Sequence, residues 1–218
     1  LGVAPELLLA LTEAGYTVPT PVQTAVIPAV LFGKDVLGIA PTGTGKTVGY
    51  VVPILQRILE ERWLLPDRHV PVLVLVPTRE LAVQVEEVIR SMAAKLPDRI
   101  HTMAAHGGVS INPQMIGMHG VNILVATPGR LLDLIEHKAV HLAHVRLLEL
   151  DEADRMLDLG FKEEMDRVLA LLPRKRQNLL FSATLSHTVN DMTRSVLHKP
   201  EVVQVEVSHQ EVVLIQQR

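Results

Sequence analysis

A single doubly wound α/β domain, with a mostly parallel sheet and helices on both faces, is the fold the sequence predicts. Two observations predict it. Short apolar runs without polar alternation recur along the 218 residues, as strands buried on both faces require. Amphipathic stretches of helical length separate them, and this alternation is the signature of parallel crossovers. Composition agrees: hydrophobic residues make up 48% of the chain and aromatics only 3%, so the core is built mainly of Leu, Val, Ile, Ala and Met.

Strands are expected at 36–40, 72–76, 100–104, 123–126, 145–150, 178–181 and 202–207. Most are continuous rather than alternating, as strands buried on both faces should be. Helices are expected at 46–59, 79–95, 129–136, 162–172 and 188–197, where apolar residues recur at helical spacing. The domain is expected to span 1–207, with 208–218 beginning a linker. The abrupt start at Leu1 predicts a piece of a longer protein.

The net charge of −3 excludes a strongly basic nucleic-acid binder, so a nucleic acid must be gripped locally, by a few cations and backbone amides. The chain has no Cys, hence neither disulfides nor thiolate metal sites, which fits a reducing cytoplasm. The apolar stretch 25–32 stops at Gly33-Lys34-Asp35, short of the roughly 20 residues a membrane span needs.

In sheets of this kind ligands bind beyond the carboxyl ends of the strands. After the first strand comes Ala40-Pro41-Thr42-Gly43-Thr44-Gly45-Lys46-Thr47, leading into a helix. Glycines let backbone N–H groups of Thr42, Gly43, Thr44 and Gly45 curl around phosphates, and the helix N-terminus adds a favourable dipole. Lys46 is placed to reach the β- and γ-phosphates and Thr47 to ligate Mg²⁺. The motif's usual leading Gly is Ala40 here. After the fifth strand comes Asp151-Glu152-Ala153-Asp154. A phosphate loop with a strand-terminal acid is the P-loop NTPase arrangement: Asp151 holds Mg²⁺, and Glu152 orients or deprotonates the attacking water.

With these residues in view, the chain resembles the DEAD-box ATP-dependent RNA helicases, in their N-terminal RecA-like domain. Asp151-Glu152-Ala153-Asp154 spells the signature, continued by Arg155-Met156-Leu157-Asp158-Leu159-Gly160-Phe161, and Ala40 is what that family uses. Gly15-Tyr16 with Pro19-Thr20-Pro21-Val22-Gln23 resembles its Q motif, and Pro77-Thr78-Arg79-Glu80-Leu81 its motif Ia. Gly107-Gly108 and Thr127-Pro128-Gly129-Arg130 resemble the next two motifs, and Ser182-Ala183-Thr184 motif III. The overall flavour is similar to the bacterial RhlE-like branch.

The resemblance implies an RNA-dependent ATPase that unwinds or remodels RNA duplexes locally, using ATP and Mg²⁺. The alternatives are an ATP-dependent RNA clamp or scaffold and, less in keeping with the motifs, a DNA helicase. It implies that Tyr16 and Gln23 serve the adenine, and that Pro77, Thr78, Arg79, Gly107, Gly108, Thr127, Gly129 and Arg130 face the RNA backbone, with little sequence preference. It implies that Ser182 and Thr184 hydrogen-bond toward Asp154, coupling the nucleotide site to a second RecA-like domain. That domain's motifs have no counterpart here, so the chain by itself is expected to be monomeric and nearly inactive.

Three features stand outside this pattern. Glu149 lies in a strand where the family has an aliphatic residue, and partial exposure is expected for it. His137, His141 and His144 read as solvated surface histidines rather than metal ligands. Arg174-Lys175-Arg176 reads as a solvated turn.

Overall fold

The computed structural model describes residues 1–63 and 67–205. Their strands are β1 (Val36–Ile39), β2 (Val72–Leu75), β3 (Thr102–Ala105), β4 (Ile123–Ala126), β5 (Leu147–Leu150), β6 (Gln177–Ser182) and β7 (Glu201–Gln204). They form one sheet in the order β3-β4-β2-β5-β6-β1-β7, and every adjacent pair is parallel. The expected strand at 202–207 begins one residue earlier; its last two residues, like the linker expected at 208–218, lie outside the described residues.

The helices are α1 (Pro5–Glu13), α2 (Pro21–Leu31), α3 (Lys46–Glu61), α4 (Arg79–Ala93), α5 (Ile111–Gly117), α6 (Pro128–Glu136), α7 (Ala153–Asp158), α8 (Lys162–Leu171) and α9 (His187–Val196). Successive strand side chains alternate faces, so each strand feeds two cores. Val72, Val74, Leu147, Leu179 and Phe181 pack with α2, α3 and α4 on one face. Leu73, Leu75, Leu148, Leu150 and Leu180 pack with α6, α8 and α9 on the other. Burial on both faces is why these strands read as continuous apolar runs.

Four helices, α1, α2, α5 and α7, were not expected from periodicity. In α2 the signal lies at its start. Thr20 accepts from the Gln23 N–H, the Gln23 side chain returns to the Thr20 N–H, and Pro21 holds the first turn. That is a capping box with Pro at the first helical position.

Gly38 sits inside β1 because of what faces it. A Cβ there would stand 2.3 Å from the Phe181 ring. Without one, Phe181 of β6 lies against β1 and tilts onto Tyr50 of α3, with ring centroids 5.6 Å apart. The phosphate-loop helix is thereby seated on the sheet.

Candidate functional site

Strand order assembles the nucleotide end. β6 lies between β5 and β1, so the segments after these three strands meet at one rim: Asp151–Asp154, Ser182–Thr184 and Ala40–Gly45. The Ala40 N–H donates to the Ser182 carbonyl at 3.0 Å, and the Asp151 N–H to the Leu75 carbonyl at 2.9 Å.

The loop after β1 turns into α3 through Gly45, whose φ of +89° is unfavourable for any residue with a Cβ. A Cβ there would also lie 2.6 Å from the Gln23 amide nitrogen. Gln23 is almost fully buried. Its Nε2 donates to the Gly45 carbonyl at 3.1 Å and its Oε1 accepts from the Thr20 N–H at 3.0 Å. The residue expected to read adenine is therefore also a brace between the α2 N-terminus and the phosphate loop. An amide has two donor hydrogens and two lone pairs, so one of each is left for a base. Tyr16 stands exposed in the loop between α1 and α2.

Lys46 opens α3, is buried, and donates from Nζ to the Ala40 carbonyl at 2.9 Å, with two N–H bonds left for phosphate oxygens. Thr44 Oγ1 pins the loop by donating to the Pro41 carbonyl at 2.8 Å. One turn beyond Lys46, on the same helix face, Tyr50 donates its hydroxyl to Asp151 Oδ2 at 2.9 Å. Sequence reading missed Tyr50; its spacing of four residues from Lys46 was the available signal. Burial pushes the Asp151 carboxyl above its ordinary value, against the opposing pull of Lys46 and of the Tyr50 hydrogen bond. Burial, then Asp151 and Glu149, push the Tyr50 hydroxyl well up, so it stays a donor.

Glu152 caps α7 in the left-handed region, at φ 52° and ψ 51°, costly for a residue with a long side chain. Its carboxylate is paired with Arg155 at 3.2 Å. The strained turn separates neighbouring acids into different roles: Asp151 buried behind the loop, Glu152 at the rim.

Asp154 joins α7 to the loop after β6. Its Oδ2 accepts from the Thr184 hydroxyl and N–H, both at 2.9 Å, and from the Ala183 N–H at 3.2 Å. Burial works against its ionisation, yet these hydrogen bonds, led by that of Thr184, hold its carboxyl below the ordinary value. Ser182 Oγ sits beside the same carboxylate but donates to the Thr184 carbonyl at 2.7 Å, so it acts through Thr184.

The other half of the sheet, β3-β4-β2, brings together the segments expected to face RNA. Arg79 Nη1 lies 3.1 Å from where a Cβ of Gly108 would be, and the Thr127 N–H donates to the Ala105 carbonyl at 3.0 Å. Arg79, Gly107 and Gly108 are exposed; Thr127 and Gly129 are half-buried. Thr78 caps α4, accepting from the Leu81 N–H at 3.2 Å. Two expectations are corrected. Pro77 is buried. Arg130 is only 9% exposed, and its guanidinium donates to the Val109 carbonyl at 2.9 Å and faces Asp133. It braces the loop after β3 rather than projecting outward.

Glu149 is a third correction. It lies on β5 between Val74 of β2 and Leu179 of β6, is 0% exposed, and neither carboxylate oxygen has a hydrogen-bond partner. Burial first, then the neighbouring Asp151, push its carboxyl well above the ordinary value, with Lys46 opposing. The histidine reading agrees with the surface: His137, His141 and His144 are exposed, and the last two lie against His69.

Among the described residues no three His, Cys, Asp or Glu converge on a metal position. The oxygen donors at the rim, the Asp151 carboxylate and the Thr47 hydroxyl beside Tyr50, suit a hard cation held by few protein ligands and completed by phosphate and water. Mg²⁺ fits that donor set.

A family model described as DEAD/DEAH box helicase matches residues 20–192. A Chaetomium globosum protein named ATP-dependent RNA helicase DRS1 is 41% identical over 213 residues, covering 97% of this chain and 26% of that protein. One from Phaeosphaeria nodorum, named ATP-dependent rRNA helicase RRP3, is 41% identical over 216 residues, covering 98% of this chain and 38% of its own. The chain thus spans well under half the length of these relatives. The crystal structure of a DEAD box protein from the hyperthermophile Methanococcus jannaschii superposes with a TM-score of 0.84 at 31% identity, over 94% of this chain and 55% of that one. Both named relatives are fungal and lend no support to the RhlE-like branch.

Proposed function

Because the chain belongs to the DEAD/DEAH box helicase family, we propose that it is the domain that binds and hydrolyses ATP, with Mg²⁺, to drive local remodelling of RNA. The observation that carries this is the meeting of Lys46, Asp151, Glu152 and the Asp154–Thr184 link at one rim of the sheet. The two relatives' names, both ATP-dependent helicases of RNA, support the substrate classes.

Lys46 and the N–H groups of residues 42–46 cradle the phosphates. Asp151 and Thr47 would hold Mg²⁺, which would supply positive charge to the phosphate oxygens. Tyr50 fixes the Asp151 carboxylate by donating to Oδ2. Glu152 orients the attacking water and accepts its proton. Asp154, gripped by Thr184, transmits the state of the rim to the β6 loop and from there to a second RecA-like domain. We assign residues 1–207 to this domain and 208–218 to the linker. We also place the protein in the cytoplasm; no helix among the described residues is long and apolar enough to cross a membrane.

Nucleotide choice tests the base site. Gln23 is expected to favour ADP and ATP over GDP and GTP, and Gln23→Ala to erode that preference. Because Gln23 also braces Gly45, the variant should weaken both bases as well. Titration with labelled nucleotides measures both effects; equal affinity of the unmodified chain for adenine and guanine nucleotides would remove Gln23 from base reading.

RNA grip is expected to depend strongly on salt and little on sequence. Arg79→Ala should weaken binding across all sequences and lower the single-strand salt slope by about 0.7. Arg130→Ala should weaken binding through the loop it braces, without an equal change in slope. Salt titrations over several RNA sequences read this out. A strong preference for one sequence would count against backbone recognition.

A further inference from the structure

At the opposite end of the strands lies a cleft of about 510 Å³, lined by Gly33, Arg57, Glu61, Arg146, Lys175, Arg176 and Gln177. It sits where the chain enters β1, β5 and β6, beneath the nucleotide half of the sheet. Four cations and one acid line it, on a chain whose net charge is −3.

The acid is already engaged. Glu61 pairs with Arg57 at 2.7 Å and accepts from the Trp63 indole N–H at 2.7 Å. Among the described residues Arg146, Lys175 and Arg176 form no ion pair within 4 Å; Glu61 lies near Arg146 and Asp35 near Arg176, and the cations still outnumber the acids around the cleft. Lys175 is exposed, but the three arginines are held in place. Arg57 and Arg146 lie against the Trp63 ring, 5.3 and 5.6 Å from its centre, and Arg57 is also bonded to the Gln177 amide oxygen. Arg176 donates from Nη1 to the Pro173 carbonyl at 2.7 Å, while its Nε is buried without a partner. Like charges repel at this range, and a fixed cluster of this kind favours a counter-anion.

We propose that this cleft binds a compact polyphosphate, either the triphosphate of a nucleotide or free inorganic polyphosphate. Guanidinium forks match phosphate oxygens in pairs, and a cluster in which four cations outnumber the nearby acids suits a multiply charged phosphate chain better than a single carboxylate. Single-stranded nucleic acid is a poorer fit, because stacking bases requires exposed aromatic faces and Trp63 is only 2% exposed. The C-terminal dipole of α3 opposes an anion here, but a half charge is outweighed by the cations. Lys46 begins α3 and Arg57 lies about three turns along it, so one helix carries a phosphate-binding residue toward each end.

The test is calorimetric titration of the chain carrying Lys46→Ala, which weakens the phosphate loop, with inorganic tripolyphosphate. Saturable binding of one tripolyphosphate is expected, weakened about tenfold or more by adding Lys175→Glu, as for loss of one charge-assisted contact. Arg174→Glu, one residue away but not lining the cleft, is the control for overall charge and is expected to have little effect. Competition by ATP would support the nucleotide source, and its failure with tripolyphosphate still bound would support the free one. Undetectable binding at millimolar tripolyphosphate, or equal losses from Lys175→Glu and Arg174→Glu, would overturn the proposal. So would tighter binding of an acidic peptide or of RNA with the same dependence on Lys175.

Discussion

Glu152→Gln is expected to lower ATP turnover by about 10²- to 10⁴-fold while nucleotide affinity stays near that of the unmodified protein. The substitution keeps the size and hydrogen-bonding reach of the side chain but removes the carboxylate that takes a proton from water. Its cost to folding should be small. The ion pair it loses, to the largely exposed Arg155, is of a kind worth about 0–1 kcal/mol. The left-handed backbone at position 152 is equally strained for Glu and Gln. Lys46→Ala should do the reverse and lose phosphate affinity first, since its ammonium is the cation built into the loop. Single-turnover hydrolysis and nucleotide binding, measured with RNA in a protein that joins this chain to a second helicase domain, separate the two effects. Unmodified turnover by Glu152→Gln would exclude Glu152 as the base.

How much of this site was legible in the sequence depended on whether a residue's role is local. The phosphate loop was legible because its chemistry demands glycines, Lys46 and Thr47 within one turn of chain. Asp151 and Glu152 were legible because a parallel sheet delivers its ligand-binding residues at strand ends. Tyr50 was not, because its partner Asp151 is 101 residues away and only the β5-β6-β1 order brings α3 over it. Gln23 carried a local signal, the capping box, that was read only as a base contact; its second role, bracing Gly45, is tertiary. Arg130 shows the opposite case, a side chain whose ligand-free contact the sequence did not reveal. An Arg after a strand end reads as a ligand contact, but α6 turns it toward the loop after β3, a pairing made 21 residues away. Arg174 and Lys175 do lie exposed in a bend, as the sequence suggests; only Arg176 departs from that reading, half-buried and bonded to the Pro173 carbonyl.

Glu149→Ile is expected to stabilise the domain by about 1–3 kcal/mol near neutral pH, the range for relieving a buried polar group that has no partner. At about 2–4 °C per kcal/mol for a domain of this size, Tm should rise by several degrees. Glu149 lies in the middle of the sheet between Val74 and Leu179, on the same face as Leu147, and both its oxygens lack hydrogen-bond partners. Ile has no polar atoms and a β-branched side chain suited to a strand, and being about one methylene larger than Glu it relieves desolvation without opening a cavity. The pH dependence has a definite sign. The native carboxyl titrates well above its unfolded value, so folded Glu149 keeps a proton that the unfolded chain releases. Above the unfolded pKa, near 4.5, the unmodified domain therefore loses stability as pH rises toward the native value. The advantage of Ile should be smallest near pH 4–5 and grow toward pH 7. Asp151 is also raised and contributes the same slope, but it is present in both proteins and largely cancels in the difference. Glu149→Gln separates the two contributions: it abolishes the titration but leaves a buried amide, so it should flatten the pH dependence with less gain in Tm. Thermal unfolding of the three proteins between pH 4 and 8 measures all of this. A Tm for Glu149→Ile at or below that of the unmodified domain throughout would mean that Glu149 is held by a partner worth more than its desolvation, and that the strand keeps it for that contact.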